Sequence, residues 1–395
     1  MTCDSQQAGS PVVPSGGVGA VALGGCIALA AAMGIGRFVY TPILPFMVES
    51  LGLSQAEAGI IASANFLGYL LGALAAAKAS LPGGRRRWFL ASLGVSAFTT
   101  AAMAVEASVP LFLVLRFASG VASAFVLVFA SALVLDRLAA AGRPGLSSLH
   151  FAGVGIGIAL SAVLVAGLAA SGSDWRGLWL ASGGLSLLAL LAVLRLVPAE
   201  QEPPPIVRAL GKSRANPRLV ALIVAYGLFG FGYVITATFL STLVRLTPEI
   251  RWLESYVWLV VGLAGIPSVL VWSKVARRLG TARAFALACL TLGIGVALSV
   301  LGSGALAVIL AAALLGGTIM GITALGLVYA RALSSGDPRR SMALMTAAFG
   351  LGQMIGPSFA GFAYSIGDSF VLPSLVASGA LLIAFALTME WRRSP

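Results

Sequence analysis

Long apolar segments dominate this sequence and restrict the folds open to it. Twelve such segments can be counted, each with roughly the 20 apolar residues that an α-helix needs to cross a bilayer. Six precede a polar stretch and six follow it, at approximately 18–48, 56–80, 88–106, 110–137, 146–170 and 175–197, then 219–246, 252–276, 282–301, 304–332, 341–365 and 369–390. Helices satisfy their own backbone polar groups in lipid. The sequence therefore predicts an all-α membrane protein with 12 transmembrane helices.

The composition supports a membrane protein and disfavours an enzyme. Hydrophobic residues make up 59% of the chain and charged residues 10%, whereas a soluble domain carries about 25% charged residues. The three cysteines have no metal-ligand spacing, and the chain has one histidine. We therefore expect no metal site, no cofactor and no catalytic nucleophile–base arrangement.

The cations are placed as in a membrane protein rather than a nucleic-acid-binding protein. The net charge is +12, and lysine and arginine cluster in short connections such as 81–88, 273–283 and 334–340. On the opposite connections lie only Arg176, Arg245 and Arg251. Because cytoplasmic loops carry the excess of lysine and arginine, both termini are predicted to be cytoplasmic. The predicted location is the inner membrane of a bacterium, with the lipid bilayer and not nucleic acid as the partner.

A repeat divides the chain into two halves. The stretch "GIGRFVYT" (34–41) matches "GFGYVITA" (230–237) at an offset of 196 residues, and the same offset aligns Lys78 with Lys274. Six plus six helices related by a parallel repeat are typical of major facilitator transporters. We predict two six-helix bundles at 18–197 and 219–390, a cytoplasmic linker at 198–218, a flexible tail at 1–17 and a short tail at 391–395.

Two stretches carry a more specific resemblance. "GIGRFVYTPILPFM" (34–47) and "GLSQAEAGIIASANFLGYLLGALAA" (52–76) resemble the opening of the YbfB/YjiJ group of bacterial major facilitator transporters. The resemblance implies the major facilitator fold and a transport function, with alternating access of a central site to the two sides of the membrane. It implies no particular substrate.

Arg37 is the most unusual of the candidate substrate-binding residues. It lies about 12 residues from Glu49, the next charge, which corresponds to a depth of roughly 18 Å along a helix. An arginine at that depth costs at least about 2.5–3.5 kcal/mol if it faces lipid, so we expect it to face a cavity or a structural partner. Other polar side chains predicted at a similar depth, which also fit packing or helix bridging, are Tyr40, Asn65, Tyr69, Tyr226, Tyr233 and Gln353.

Four further side chains are candidates for coupling or for structural charge: Arg116, Glu49, Asp136 and His150. Arg116 begins "RFASG" (116–120), which resembles a motif of proton-coupled major facilitator members. The other three lie near predicted helix ends. If protons drive transport, the carrier is expected to be Glu49, Asp136 or His150, because no carboxylate is predicted at mid-depth.

The same lack of a mid-depth carboxylate predicts the charge of the substrate. A cavity with a fixed cation and no fixed acid has a positive potential, which favours an anion. The first hypothesis is transport of a small organic anion, such as a carboxylate, with Arg37 as its counter-ion and protons as a candidate coupling ion. The alternatives are efflux of hydrophobic or amphipathic compounds, and a transporter-like receptor that binds a ligand.

Overall fold

The structure is a computed structural model that describes residues 15–77, 84–105, 107–197, 216–334 and 338–389. Throughout these ranges the chain forms helices joined by short connections, and they contain no β-strand. The predicted tails lie mostly outside the described residues, as does most of the predicted linker.

The first half contains seven α-helices that account for six predicted segments. They are α1 (Ser15–Leu29), α2 (Tyr40–Leu51), α3 (Gln55–Ala76), α4 (Arg85–Ala102), α5 (Val109–Ala140), α6 (Ser147–Ala170) and α7 (Trp175–Leu196). The first predicted segment is interrupted, because a π-helical turn at Ala30–Ile35 and a short turn separate α1 from α2.

The second half repeats this arrangement. Its helices are α8 (Pro217–Leu246), α9 (Glu254–Gly265), α10 (Ser268–Leu279), α11 (Thr281–Leu301), α12 (Gly304–Leu333), α13 (Pro338–Gly367) and α14 (Val371–Thr388). Here the second segment of the half is divided, since α9 and α10 meet at an angle of 44°. Pro267 lies at that bend, where it cannot donate a helical hydrogen bond.

The helical segments fit a bilayer. Within the described ranges, nine helical stretches are long and apolar enough to cross a membrane, and the bent α9–α10 pair makes a tenth. The less apolar α4 and α13 occupy the two remaining predicted segments. Large apolar side chains are exposed on outward faces, among them Phe98 of α4, Leu188 of α7 and Leu372 of α14. Such faces are suited to contact with lipid.

Local signals begin and end several helices. Gly52 takes the left-handed conformation at φ 66° and ends α2. Two residues later, the Ser54 hydroxyl accepts a hydrogen bond from the Glu57 amide, and the Glu57 carboxylate accepts one from the Ser54 amide. This capping box satisfies two amide groups that a helix start leaves free. It turns the chain sharply from α2 into α3.

Pro42 accounts for the last part of the interruption between α1 and α2. Pro42 lacks the amide that would bond the Phe38 carbonyl, and the Thr41 amide bonds that carbonyl instead, at 3.2 Å. The Thr41 amide is therefore diverted from Arg37, whose carbonyl it would bond in a regular helix. The interruption thus leaves the Arg37 carbonyl oxygen, in a buried region, without the amide donor of a regular helix.

The two halves meet along pairs of helices, α3 with α13 and α6 with α9. Close backbone approach needs glycine in both seams. A β-carbon at Gly59 would lie 2.3 Å from the Pro357 carbonyl oxygen, and one at Gly262 would lie 2.4 Å from the Ala159 amide. Small residues that let helix backbones approach closely are typical of membrane helix interfaces.

The halves also touch where α2 crosses α8. The Thr41 hydroxyl donates to the Ala237 carbonyl at 2.5 Å, and Arg245 forms an ion pair with Glu49 at 2.9 Å. We call this side of the molecule the Glu49 end. The opposite side, which holds Asp136 and His150 near the end of α5 and the start of α6, is the His150 end.

Candidate substrate site

Arg37 lies on the interruption between α1 and α2 and is buried, with 2% of its surface exposed. Its guanidinium Nη2 donates to the Gln353 side-chain oxygen on α13 at 2.8 Å. The guanidinium carbon also lies 4.0 Å from the ring centroid of Tyr69 and 4.7 Å from that of Phe66, both on α3. Cation–π contacts of this kind stabilise a desolvated arginine, but they do not neutralise its charge.

Gln353 connects Arg37 to the second half of the repeat. It is fully buried, and its side-chain nitrogen donates to the Tyr233 hydroxyl on α8. Tyr233 is the residue that the 196-residue repeat aligns with Arg37. Four of the predicted binding residues, Arg37, Tyr69, Tyr233 and Gln353, are therefore adjacent in the structure and join both halves.

A column of aromatic rings adjoins Gln353. Phe349 stacks on Tyr233 with ring centroids 5.9 Å apart and planes 8° apart. Phe229 lies 5.3 Å from Phe349, and Tyr226 lies 5.1 Å from it. We call these four rings the aromatic column. The predicted Tyr226 thus reaches the site through ring contacts, and its hydroxyl donates to the Thr323 carbonyl at 3.4 Å.

The Arg37 guanidinium is incompletely paired. Its Nε is buried and has no hydrogen-bond partner among the described residues. Nε and Nη2 lie on the same edge of a guanidinium, an edge that fits the two oxygens of a carboxylate. The Gln353 amide supplies a single acceptor oxygen to Nη2 and leaves Nε without a partner.

No carboxylate in the described part of the chain lies at the middle of a helix. The acids there occupy helix ends or connections, namely Glu49, Glu57, Asp136, Asp174, Glu249, Glu254 and Asp368. The described residues also hold no group of three or more histidine, cysteine or acidic side chains able to bind a metal. The centre of the molecule is therefore electropositive around Arg37.

Arg116 binds the interruption itself. From α5 its Nη1 donates to the Gly36 carbonyl at 3.0 Å, and its Nη2 donates to the Arg37 carbonyl at 2.9 Å. The Arg116 guanidinium therefore supplies donors to oxygens of the irregular turn. It also lies 5.0 Å from the ring centroid of Tyr40. These contacts fit a structural role, in which the Arg116 charge stabilises the backbone of the turn.

Two predicted binding residues direct their hydrogen bonds elsewhere. The Tyr40 hydroxyl donates to the Ala58 carbonyl at 2.9 Å, and the Asn65 side-chain nitrogen donates to the Arg116 carbonyl at 2.9 Å. Asn65 thus bridges α3 and α5, and Tyr40 bridges α2 and α3. Substrate binding by either residue stays a prediction.

The coupling candidates lie near the two ends of the helix bundle. Glu49 pairs with Arg245 at the Glu49 end, and Asp136 pairs with Arg85 at 3.4 Å at the His150 end. His150 is buried, and its Nε2 lies 3.2 Å from the Ser131 hydroxyl. A proton-carrying role for these residues stays a prediction.

Sequence reasoning missed Phe66 and Phe349, which contribute rings to the site. Phe229 was missed as well, although Tyr226, Phe229 and Tyr233 follow each other at helical spacing of three and four residues. That spacing is a signal, but such a stripe also fits an ordinary core. The contact of this stripe with Phe349 could be found only in three dimensions.

Comparison with known proteins assigns the chain to a family. A family profile described as the uncharacterised MFS-type transporter YbfB matches residues 29–389. The chain belongs to this family of major facilitator proteins. The predicted resemblance to the YbfB group and the predicted major facilitator fold are thereby confirmed. Membership of a transporter family also agrees with the expectation of a non-enzymatic, multi-pass membrane protein.

The chain is also similar to one further uncharacterized transporter and to two solved structures. The uncharacterized MFS-type transporter YceJ of Bacillus subtilis (strain 168) is 30% identical in a 267-residue alignment that covers 63% of this chain and 65% of YceJ. A mutant of the nucleoside transporter NupG has a similar fold, with a TM-score of 0.72, 16% identity, and coverage of 93% of this chain and 98% of NupG. A second NupG structure gives a TM-score of 0.68 at 15% identity. At such identities NupG shows the fold alone.

Proposed function

We propose that this protein is a secondary transporter that moves a small organic anion across a bacterial inner membrane. The observation that carries the proposal is the half-satisfied edge of the buried Arg37 guanidinium. A substrate carboxylate has two acceptor oxygens and a negative charge, whereas Gln353 offers one oxygen and no charge. Replacing Gln353 on this edge would pair both Nε and Nη2 and would neutralise Arg37 in a low-dielectric site.

Alternating access is the proposed mechanism. The Glu49 end is closed in this structure by the contacts of Thr41 with Ala237 and of Glu49 with Arg245. The seams between the halves are lined by backbone and glycine, as at Gly59 and Gly262. Such surfaces would let the two bundles tilt against each other without the separation of large interdigitated side chains. The substrate would then reach Arg37 from the His150 end.

Transport by purified protein in proteoliposomes tests the anion proposal. Guanidinium binds a carboxylate through two parallel hydrogen bonds, while ammonium is a compact point charge. Arg37→Lys should retain anion transport with weaker apparent affinity, and Arg37→Gln should lose it while melting close to the wild type. Arg251→Gln, a change at an exposed arginine, is the matched control and should leave transport unchanged. Full anion transport by a folded Arg37→Gln protein would overturn the proposal.

A second candidate is export of hydrophobic or amphipathic compounds, and the aromatic column favours it. Rings bind apolar compounds without a fixed charge. The same variants separate the two functions. Export of neutral amphiphiles should survive Arg37→Gln, whereas anion transport should not.

Proton coupling and orientation are parts of the proposal that need their own tests. Protons would be carried by Glu49, Asp136 or His150, and a protonophore should then stop uptake of the anion. Uptake that is unaffected both by a protonophore and by the pH gradient would instead indicate exchange.

The orientation in the membrane needs a separate test. Reporters fused after Pro395 and within 198–218 should both give a cytoplasmic signal. A periplasmic signal from either would contradict the predicted topology.

A further inference from the structure

The surroundings of Gln353 indicate what kind of body the anion carries. Gln353 and Phe349 are four residues apart on α13, so their side chains share one face of the helix. The Gln353 amide touches Arg37 at its oxygen and Tyr233 at its nitrogen. A carboxylate that takes the place of this amide would therefore carry its attached group beside Tyr233 and Phe349.

The surfaces at that place are planar on both sides. In the second half Tyr233 and Phe349 are nearly parallel, with an angle of 8° between their planes. In the first half Tyr69 and Phe66 face the Arg37 guanidinium. Aromatic rings prefer offset-stacked or edge-to-face partners at centroid distances of about 4.5–7 Å. A flat ring that replaces the Gln353 side chain could add such a contact to Tyr233 or Phe349, which a puckered or branched aliphatic group could not.

We infer that the transported anion is an aromatic carboxylate. Its carboxylate binds the Nε–Nη2 edge of Arg37, and its ring lies against the Tyr233–Phe349 stack. The inference rests on the proposed anion transport and adds the chemical class of the substrate. It also accounts for the aromatic column beside the cation, because a small aliphatic acid would pair with Arg37 but would leave the rings unused.

Binding of four small probes to the purified full chain tests this inference. By isothermal titration, benzoate should bind more tightly than cyclohexanecarboxylate, which has the same charge and a similar size but no flat ring. The expected ratio is about 2- to 10-fold, the effect of one favourable ring contact. Acetate should bind more weakly than both, and neutral benzamide should bind weakest.

The outcomes separate this inference from the proposed function. Equal affinity for benzoate and cyclohexanecarboxylate would overturn the aromatic class and leave anion transport standing. Equal affinity for benzoate and benzamide would overturn the anion requirement and with it both proposals. Failure of benzoate to bind, while acetate binds, would likewise end the aromatic inference alone. If none of the four probes binds, the inference is overturned, and the transport assay still decides the proposed function.

A pair of phenylalanine variants gives an internal control. Phe349 and Phe125 are each 7% exposed, but Phe125, on α5, packs with Phe129 in a core cluster separate from that of Phe349. Phe349→Leu keeps an apolar side chain without a ring, so the ratio of benzoate to cyclohexanecarboxylate affinity should fall toward 1. Phe125→Leu should leave the ratio unchanged. A ratio that survives Phe349→Leu in a folded protein would overturn the inference.

Discussion

Glu49 and Arg245 occupy equivalent positions in the two halves, 196 residues apart, and they bond each other at 2.9 Å. Thr41 and Ala237 are separated by the same 196 residues and are also in direct contact. The helices α2 and α8 therefore cross near the axis that relates the halves. Positions that the repeat makes equivalent meet face to face across the closed Glu49 end.

The first prediction concerns this closed end. Glu49→Gln removes the ion pair between the halves, whereas Arg245 keeps its pair with Glu254 at 2.6 Å. The Glu49 side chain is 66% exposed, and exposed pairs contribute about 0.2–1 kcal/mol, so opening should become about 1.5- to 5-fold more frequent. Maleimide labelling of Ala237→Cys, in a chain whose three native cysteines are replaced by alanine, measures this opening.

Glu254→Gln is the matched control for that experiment. It removes the partner of Arg245 within the second half and leaves the pair with Glu49 in place. Labelling of Ala237→Cys should then stay the same or slow down. Equal acceleration in both variants would show that the pair between the halves does not hold this end closed.

The second prediction concerns Gln353. Gln353→Glu places a permanent carboxylate 2.8 Å from the Arg37 guanidinium, where the amide oxygen now lies. Substrate would have to displace this internal anion, and a hydrogen bond to a charged group contributes about 1.5–3 kcal/mol. The apparent KM for the anion should therefore rise about 10- to 150-fold in flux assays.

Gln353→Met controls for the change of shape, because it has similar length and no acceptor oxygen. It should not raise the KM to the same extent. Normal anion affinity in a well-folded Gln353→Glu protein would exclude Arg37 as the substrate counter-ion.

A third prediction concerns Arg116. Arg116→Gln withdraws donors from the Gly36 and Arg37 carbonyls. The Gly36 carbonyl keeps the Ser119 hydroxyl as a donor, but the Arg37 carbonyl loses its side-chain donor, and a buried acceptor left without a donor costs about 1–3 kcal/mol. The melting temperature should fall clearly, less so in Arg116→Lys, which retains a donor group. The exposed Arg251→Gln change should leave melting unaltered. Wild-type melting of Arg116→Gln would contradict the structural role.

The fourth prediction compares two glycines of α6. A β-carbon at Gly157 would lie 2.2 Å from the Ala30 carbonyl oxygen, whereas one at Gly167 would meet nothing within 4 Å. Gly157→Ala should destabilise the protein by about 1–3 kcal/mol through overpacking. Gly167→Ala should be neutral or slightly stabilising, because alanine favours helix. Thermal melting of the two variants tests this prediction, and equal effects would argue against the close approach of α6 to the π-helical turn at Ala30–Ile35.

Much of the fold could be predicted from apolar length alone, since a helix that crosses lipid must be apolar over its whole span. The segment predicted at 146–170 is observed as α6, Ser147–Ala170. The interruption before α2 was not predicted, because hydropathy does not show which backbone bond a proline removes. Pro42, in the first turn of α2, was its signal in the sequence.

The site was harder to predict than the fold. The mid-depth polar residues Arg37 and Gln353 were both found as candidates, because charge and amide groups are conspicuous in an apolar span. Their contact was not predictable, since 316 residues separate them. Phe349 was missed because, in a chain that is 59% hydrophobic, a ring beside a substrate looks like any other core ring.

The pairing of equivalent positions has a consequence for the origin of such a chain. If two identical copies of the first half associated as the two halves do here, position 49 of one copy would face position 49 of the other, as in any isologous dimer. Two glutamates would then repel each other where Glu49 and Arg245 now attract. The acid–base pair therefore requires that the two equivalent positions carry different residues, and it favours assembly of the first half with the second half over self-association.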